Sequence, residues 1–439
     1  MILRRLACTL VVALALAGAA PFQPPQKGVR TVYRHATVID ATAARTDMAV
    51  ITDGERIAAV VPDKNLKADE LAGAEVVDLA GKYLLPGLID THQHFATPPN
   101  RPEAEAFLKR DIYSGITATR DMADDLRQIA DMTRQARVGE IAAPDIFYAA
   151  LMAGPSFFDD PRTQAIAQGA VAGQVPWEQA IDAETDLRLA IARAKGTYAT
   201  AVKIYANLPG PLVAAITAEA HRQGMEVWAH GMVFPATPAE VVDSGVDTVS
   251  HSCYLAYQAM DRRPDSYQHR FPVDASLFAA GNPVMAKLFG DMARRGTILD
   301  ATLHVYREVE AAAKERRQPP LCTVALAGKL TNQAFRSGVT ISAGTDGDTP
   351  ISEPWPALFD ELQLLHDSAG LPPMDVVRAA TLNGAKAAGQ EKDMGTIEAG
   401  KLANMVVLAK NPLDNVGNFR SVVLTVKRGQ QFWRETYGR

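Results

Sequence analysis

The chain has 439 residues, more than one hydrophobic core usually supports, yet a length that a single eight-stranded α/β barrel with a small appendage fills comfortably. Close to half of the residues are apolar and no low-complexity tract is long enough to stay unfolded, so the chain is expected to fold throughout. Forty-five basic against fifty acidic residues give a net charge of −5, and without a basic run or basic aromatic stripe to follow a phosphate backbone, nucleic acid is not an expected partner.

Residues 1–19 have the composition of a secretory signal peptide: Arg4 and Arg5, an apolar run from Leu6 to Leu16, then Ala17, Gly18 and Ala19 before the expected cut. The run is far shorter than the roughly 20 apolar residues that span a bilayer, so no membrane span is expected. Export to the periplasm or the extracellular space follows, with Sec as the default route and the twin-arginine route left open. Cleavage removes Cys8 and leaves Cys253 and Cys322, too few for a disulfide framework; a bond between the two stays open.

After a linker, residues 31–85 carry short alternating apolar segments such as Arg56 to Val61, divided by Asp-Gly and Gly-Lys turns, which predict antiparallel strands. The same pattern returns in 390–439, at Ala403 to Leu408 and Val422 to Lys427, so the two ends are expected to share one small β-sandwich domain. Between them, residues 86–389 repeat apolar strand, loop and amphipathic helix, with strands near Leu88, Ile116, Ile146, Val202, Val227, Val249, Ile298 and Ile341. That pattern predicts an α/β fold, a (β/α)8 TIM barrel. An open doubly wound sheet is the alternative, lowered because no glycine-rich phosphate loop follows the first strand. The clearest unit has a strand at Ala201 to Tyr205, a helix ending near Gly224, and a strand at Glu226 to His230. The next helix starts at Thr237 with Pro238 and Glu240 in capping-box spacing.

A barrel sets its chemistry where strands end on the C-terminal face. The first strand ends in His92-Gln93-His94, and a period of two turns both histidines to one side. Later strands end in His230, His251 and Asp346, while Lys203 sits between Val202 and Ile204. One histidine at a strand end is more often an ordinary core or surface residue. Four of nine, with a carboxylate and a lysine turned inward, are hard to explain as packing, because buried charges need partners. The set His92, His94, Lys203, His230, His251 and Asp346 suits a divalent metal site; zinc is the first choice, with manganese, iron and cobalt open.

The segment Leu85-Pro86-Gly87-Leu88-Ile89-Asp90-Thr91-His92-Gln93-His94 resembles the opening signature of the amidohydrolase superfamily. Val202-Lys203-Ile204, Ala229-His230-Gly231, Ser250-His251-Ser252 and Ala343-Gly344-Thr345-Asp346 resemble its later metal motifs in their usual order, as do Ala380 to Ala385 and Gly395 to Asn404 near the end. Within the superfamily the chain looks closest to the imidazolonepropionase-like and Xaa-Pro dipeptidase-like group. The resemblance implies two divalent ions bridged by a carboxylated Lys203, with His92 and His94 on one and His230 and His251 on the other. It also implies Asp346 as the catalytic proton carrier.

For substrate, a small amide or cyclic amide comes first, then a dipeptide of the Xaa-Pro type or an N-acyl amino acid, then a lactone or phosphotriester. The glycine-rich segment that often follows the lysine in dipeptidase-like members is replaced by Ala206 to Gly210, which counts against peptidase action. Tyr205 and His304 are candidate substrate contacts, and the stretches Leu151 to Asp182 and Cys253 to Gly296 are candidate apolar lids. Arg120 and Asp121 are expected to pair structurally. A catalytically silent barrel kept for protein contacts is the competing reading, and a homo-oligomer is left open.

Overall fold

The computed structural model describes residues 29–279 and 281–438; the expected signal peptide lies outside the described residues. Eight strands form the barrel: β1 (Leu88–Gln93), β2 (Ile116–Asp121), β3 (Asp145–Ala153), β4 (Ala201–Ile204), β5 (Glu226–His230), β6 (Thr248–Ser250), β7 (Ile298–Asp300) and β8 (Ile341–Ser342). Neighbours pair in parallel in that order. The ring closes where the Thr91 N–H donates to the Ala343 carbonyl at 2.9 Å and the Asp346 N–H to the His92 carbonyl at 2.9 Å. Short runs such as Ala201–Ile204 and Ile116–Asp121 are buried along their whole length, as strands lined by side chains inside and covered by helices outside must be.

The helices between strands start and stop where local chemistry sets them. Thr237 accepts from the Glu240 N–H while Glu240 accepts from the Thr237 N–H at 2.8 Å, opening the helix Pro238–Asp243. The helix Gly210–Arg222 is followed by Gly224 at φ 73°, which lets the chain reverse into β5. The stretch after β3 is more ordered than a plain lid. Residues Leu151 to Ala153 continue β3 and pair with a strand at Glu178–Ala180, and a 3-10 turn at Pro155–Asp159 and a helix at Pro161–Ile166 lie between. The added strand pairs there because β2 ends opposite Tyr148, leaving the far half of β3 with a free edge.

Both chain ends build one eight-stranded sheet. Tyr83–Pro86 pairs with Met405–Leu408 at its centre, Arg30–Ile39, Ala44–Asp53 and Arg56–Pro62 extend it on one side, and Val422–Lys427 and Gln430–Trp433 on the other. Arg30–Ile39 forks, its first half also pairing with Glu75–Asp78. One apolar cluster draws on both ends, including Tyr33, Val50, Leu84, Val407, Leu424 and Val426.

The sheet is tied to the floor of the barrel by buried charge. Lys427 donates to the carbonyls of Ala136 and Ala143 at 2.8 and 2.9 Å and lies 3.2 Å from Asp145 at the start of β3. Arg428 pairs with the other Asp145 oxygen at 2.9 Å. Burial would raise the Asp145 carboxyl, but Lys427 and Arg428 outweigh it and hold it below the usual range. Asp145→Ala leaves Lys427 buried without a carboxylate and Arg428 with only Glu55, 3.2 Å away, and should cost about 3–5 kcal/mol in urea unfolding at neutral pH. A carboxyl held low in the folded state contributes stability above its unfolded value and loses it as pH falls through the folded value. The gap between wild type and variant should therefore close only under strong acid, and a gap that closes near neutrality would contradict the pairing.

Candidate active site

Six side chains from β1, β4, β5, β6 and β8 meet at the C-terminal mouth of the barrel. Asp346, just past β8, is the hub: its carboxylate oxygens lie 3.4 Å from His92 Nε2, 3.4 Å from His94 Nε2 and 3.7 Å from His251 Nδ1. Lys203 Nζ is 3.3 Å from His92 Nε2. His230 joins through its ring, 4.8 Å from that of His251 between centroids. Ligand atoms of His92, His251 and Asp346 lie within 4.8 Å of one another, a spacing one cation could bridge.

Outer groups orient the imidazoles. His92 Nδ1 lies 2.7 Å from Asp300, which also accepts from Thr91 at 3.0 Å and Ser250 at 2.9 Å. His94 Nδ1 lies 2.7 Å from Asp124, and His251 Nδ1 lies 2.9 Å from the Thr302 hydroxyl. A carboxylate on Nδ1 fixes the tautomer that leaves the Nε2 lone pair facing inward. The packing behind them is tight: a Cβ on Gly344 would collide with Asp300 and the Cβ of His92, so only glycine fits between β8 and that pair. His251, Thr302 and Asp346 hold left-handed φ values of 73°, 52° and 52°. Each such non-glycine residue costs roughly 1–3 kcal/mol, and such strain clusters at functional sites.

The protonation pattern suits cation binding. Burial holds the imidazoles of His92 and His230 well below their ordinary range and that of His251 at about 3, so all three are neutral with a lone pair to give. His230 Nδ1 is buried without a hydrogen-bond partner. Burial opposes charge on His94 as well, but Asp124 and then Asp346 outweigh it and pull the ring up to about 10. The two carboxylates thus hold positive charge at His94, which marks the spot as one that favours a cation. Burial lowers the Lys203 amine to about 8, so an appreciable neutral fraction exists near neutral pH. Unpartnered nitrogen, neutral imidazoles, an anionic hub and a softened lysine together fit a divalent metal centre.

A cavity of about 460 Å³ opens over this cluster. Phe157, Arg162 and Ile166 come from the segment after β3; Cys253, Tyr254, Tyr257, Tyr267, Arg270 and Val273 from the one after β6; and Val305, Tyr306, Val309, Leu321 and Cys322 from after β7. Both stretches expected to supply lids therefore contribute walls. Cys253 and Cys322 are disulfide-bonded, joining the wall beside His251 to that after β7. Tyr205 faces the cavity, its ring 4.0 Å from that of His230.

Two expectations are corrected. His304 is not among the residues lining the cavity: the helix Leu303–Glu315 begins directly after Thr302 and turns its Nδ1 to Arg307, 3.1 Å away. Arg120 does not pair with Asp121. Its guanidinium stacks 4.4 Å over Trp228 and lies 3.5 Å from Asp300, because alternation sends it into the barrel interior. Asp121 accepts instead from the N–H groups of Phe95 and Asp124. Asp124, Asp300 and Thr302 were not singled out from sequence, although Asp300 ends β7 by the same strand-end rule that marked the histidines.

The amidohydrolase family profile matches residues 83–432. A 5-methylthioadenosine/S-adenosylhomocysteine deaminase from Thermoanaerobacter pseudethanolicus is 29% identical over 126 residues, 26% of this chain and 29% of that protein. An ochratoxinase from Aspergillus niger is 31% identical over 93 residues, 21% of this chain and 18% of that protein, so the chain spans under a third of either curated relative. The solved structure of the A. niger ochratoxinase superposes with a TM-score of 0.73 at 20% identity, covering 94% of this chain and 98% of that one. A Xaa-Pro dipeptidase with bound methionine gives a TM-score of 0.71 at 20% identity, covering 92% and 100%. These likenesses carry the barrel with its appended sheet, and the profile match over most of the sequence carries the affiliation: the chain belongs to the amidohydrolase family.

Proposed function

We propose that this protein is an exported, metal-dependent hydrolase that cleaves a C–N bond of a small amide. The observation that carries the reading is Asp346 in reach of three histidines at the floor of a largely apolar cavity. In this reading His92, His94, His230, His251, Asp346 and a carboxylated Lys203 would hold two divalent ions, zinc as first choice. Bound ions of this kind polarise a carbonyl and lower the pKa of water to about 7.

The chain's own groups do the rest. The neutral Lys203 amine can add to carbon dioxide, the N–C bond forming as one C–O π bond opens and Nζ releases a proton to water, so that an anionic carbamate would stand where a protonated amine would repel cations. Burial opposes charge on Asp346, but His92, His94 and His251 outweigh it and hold the carboxyl well below its usual range. It is therefore an ionised acceptor for the proton of the attacking water, which it then passes to the departing nitrogen. Asp300 and Asp124 keep His92 and His94 aimed, and the apolar walls limit bulk water around the scissile bond. The disulfide between Cys253 and Cys322 supports export, since such bonds persist in oxidising compartments.

Elemental analysis of the purified protein should find two divalent ions per chain, and Lys203→Ala should lower that content; a wild-type protein without stoichiometric metal would point to a silent scaffold. Asp346→Asn should cut turnover of amide substrates by about 10²- to 10⁴-fold while metal stays bound, and undiminished turnover would remove Asp346 from the mechanism. Fractionation of cells expressing the full chain should recover a processed form starting near Ala20 outside the cytoplasm, and an uncleaved cytoplasmic product would refute export.

A further inference from the structure

Above the histidines stands a second cluster, of two arginines and three tyrosines. The Tyr205 ring lies 4.0 Å from His230, that of Tyr267 stacks at 6.0 Å, and that of Tyr254 sits 5.3 Å from both His230 and His251. Their hydroxyls accept from guanidinium groups. Arg162 donates to Tyr205 at 3.1 Å and to Tyr267 at 3.2 Å, and Arg270 donates to Tyr254.

The two arginines differ in what balances them. Asp160 neutralises Arg162 with two contacts, at 3.0 and 2.8 Å. Arg270 donates to the Tyr267 carbonyl at 2.7 Å and lies 3.5 Å over the Tyr267 ring, yet among the described residues no carboxylate forms an ion pair with it. In a cavity walled by Phe157, Ile166, Val273 and Val305, this half-buried guanidinium has neutral acceptors and a ring face but no anion against it, and an anion would offset the rest of its desolvation cost. The planar fork matches a carboxylate.

We propose that Arg270 selects substrates that carry a carboxylate a few bonds from the scissile C–N bond. One phenol, Tyr254, separates its guanidinium from His230 and His251. A carboxylate held there would be joined by a short link to a carbonyl over the histidines, as in an N-acyl amino acid whose carboxylate is on the departing amine. The apolar walls then take its acyl group or side chain. The inference rests on the amide-hydrolase reading for the word substrate, and binding tests it separately from turnover.

The probes are the ketone isostere of N-benzoyl-phenylalanine, in which a methylene replaces the amide nitrogen, and the same ketone lacking the carboxylate. Calorimetry on the metal-loaded protein should show the carboxylate form binding on the order of 30-fold tighter. Arg270→Met should bring the ratio near one, and Arg270→Lys should keep part of it. Equal binding by wild type, or an unchanged ratio in a folded Arg270→Met, overturns the proposal. If the Met variant does not fold, the wild-type ratio and the Lys variant still decide. A correct binding pattern without turnover of N-benzoyl-phenylalanine would sink the hydrolase reading and leave this one standing.

Discussion

Charge concentrated at the mouth of the barrel is the constraint on which the rest of the architecture depends. Asp346 cannot stay ionised away from bulk water unless positive or dipolar groups surround it, and His92, His94 and His251 do so from two other strands. Each imidazole must then be held from behind. Asp300, Asp124 and Thr302 do this, and Asp300 is itself approached by Arg120, which lies over Trp228. The polar interior is thus a connected network that reaches from the cavity floor toward the centre of the barrel. Removing one member would leave another buried without its partner, which is why such networks specify a single arrangement.

The same logic, applied at the other end of the barrel, ties the appended sheet in place. Lys427 and Arg428 leave the last strands of the chain and meet Asp145 at the start of β3, where the barrel floor offers the carbonyls of Ala136 and Ala143 as further acceptors. Apolar packing joins the two chain ends into one sheet, while this charge cluster fixes how that sheet meets the barrel. The mouth with its six clustered side chains is free of that task, and its walls come from three long insertions after β3, β6 and β7. Those insertions hold the aromatic and guanidinium groups that distinguish this cavity, and the disulfide between Cys253 and Cys322 joins two of them.

Much of this was legible in the order of residues, for physical reasons. The period of two in a strand turned His92 and His94 to one side, and the rule that barrel chemistry lies at strand ends marked His230, His251 and Asp346 without any knowledge of contacts. The capping box at Thr237 and the reversal at Gly224 are local and were read locally. The long-range partners are different. Asp300 stands 208 positions from His92, and nothing in the sequence says which of many aspartates will meet which histidine. His304 shows the opposite failure: it lies close to a strand end, but the start of a helix after Thr302 turns its ring toward Arg307.

The sequence by itself therefore determined the barrel, the shared sheet of the two chain ends and the six side chains at the mouth, because periodicity and strand ends are properties of neighbouring residues. Tertiary structure alone decided the partner of each histidine, the pairing of the two cysteines, and the meeting of Arg162 and Arg270 around three tyrosines. Those depend on how insertions of irregular backbone fold over the mouth. No repeating spacing encodes that path; it is set by which buried polar groups find partners once the barrel has closed.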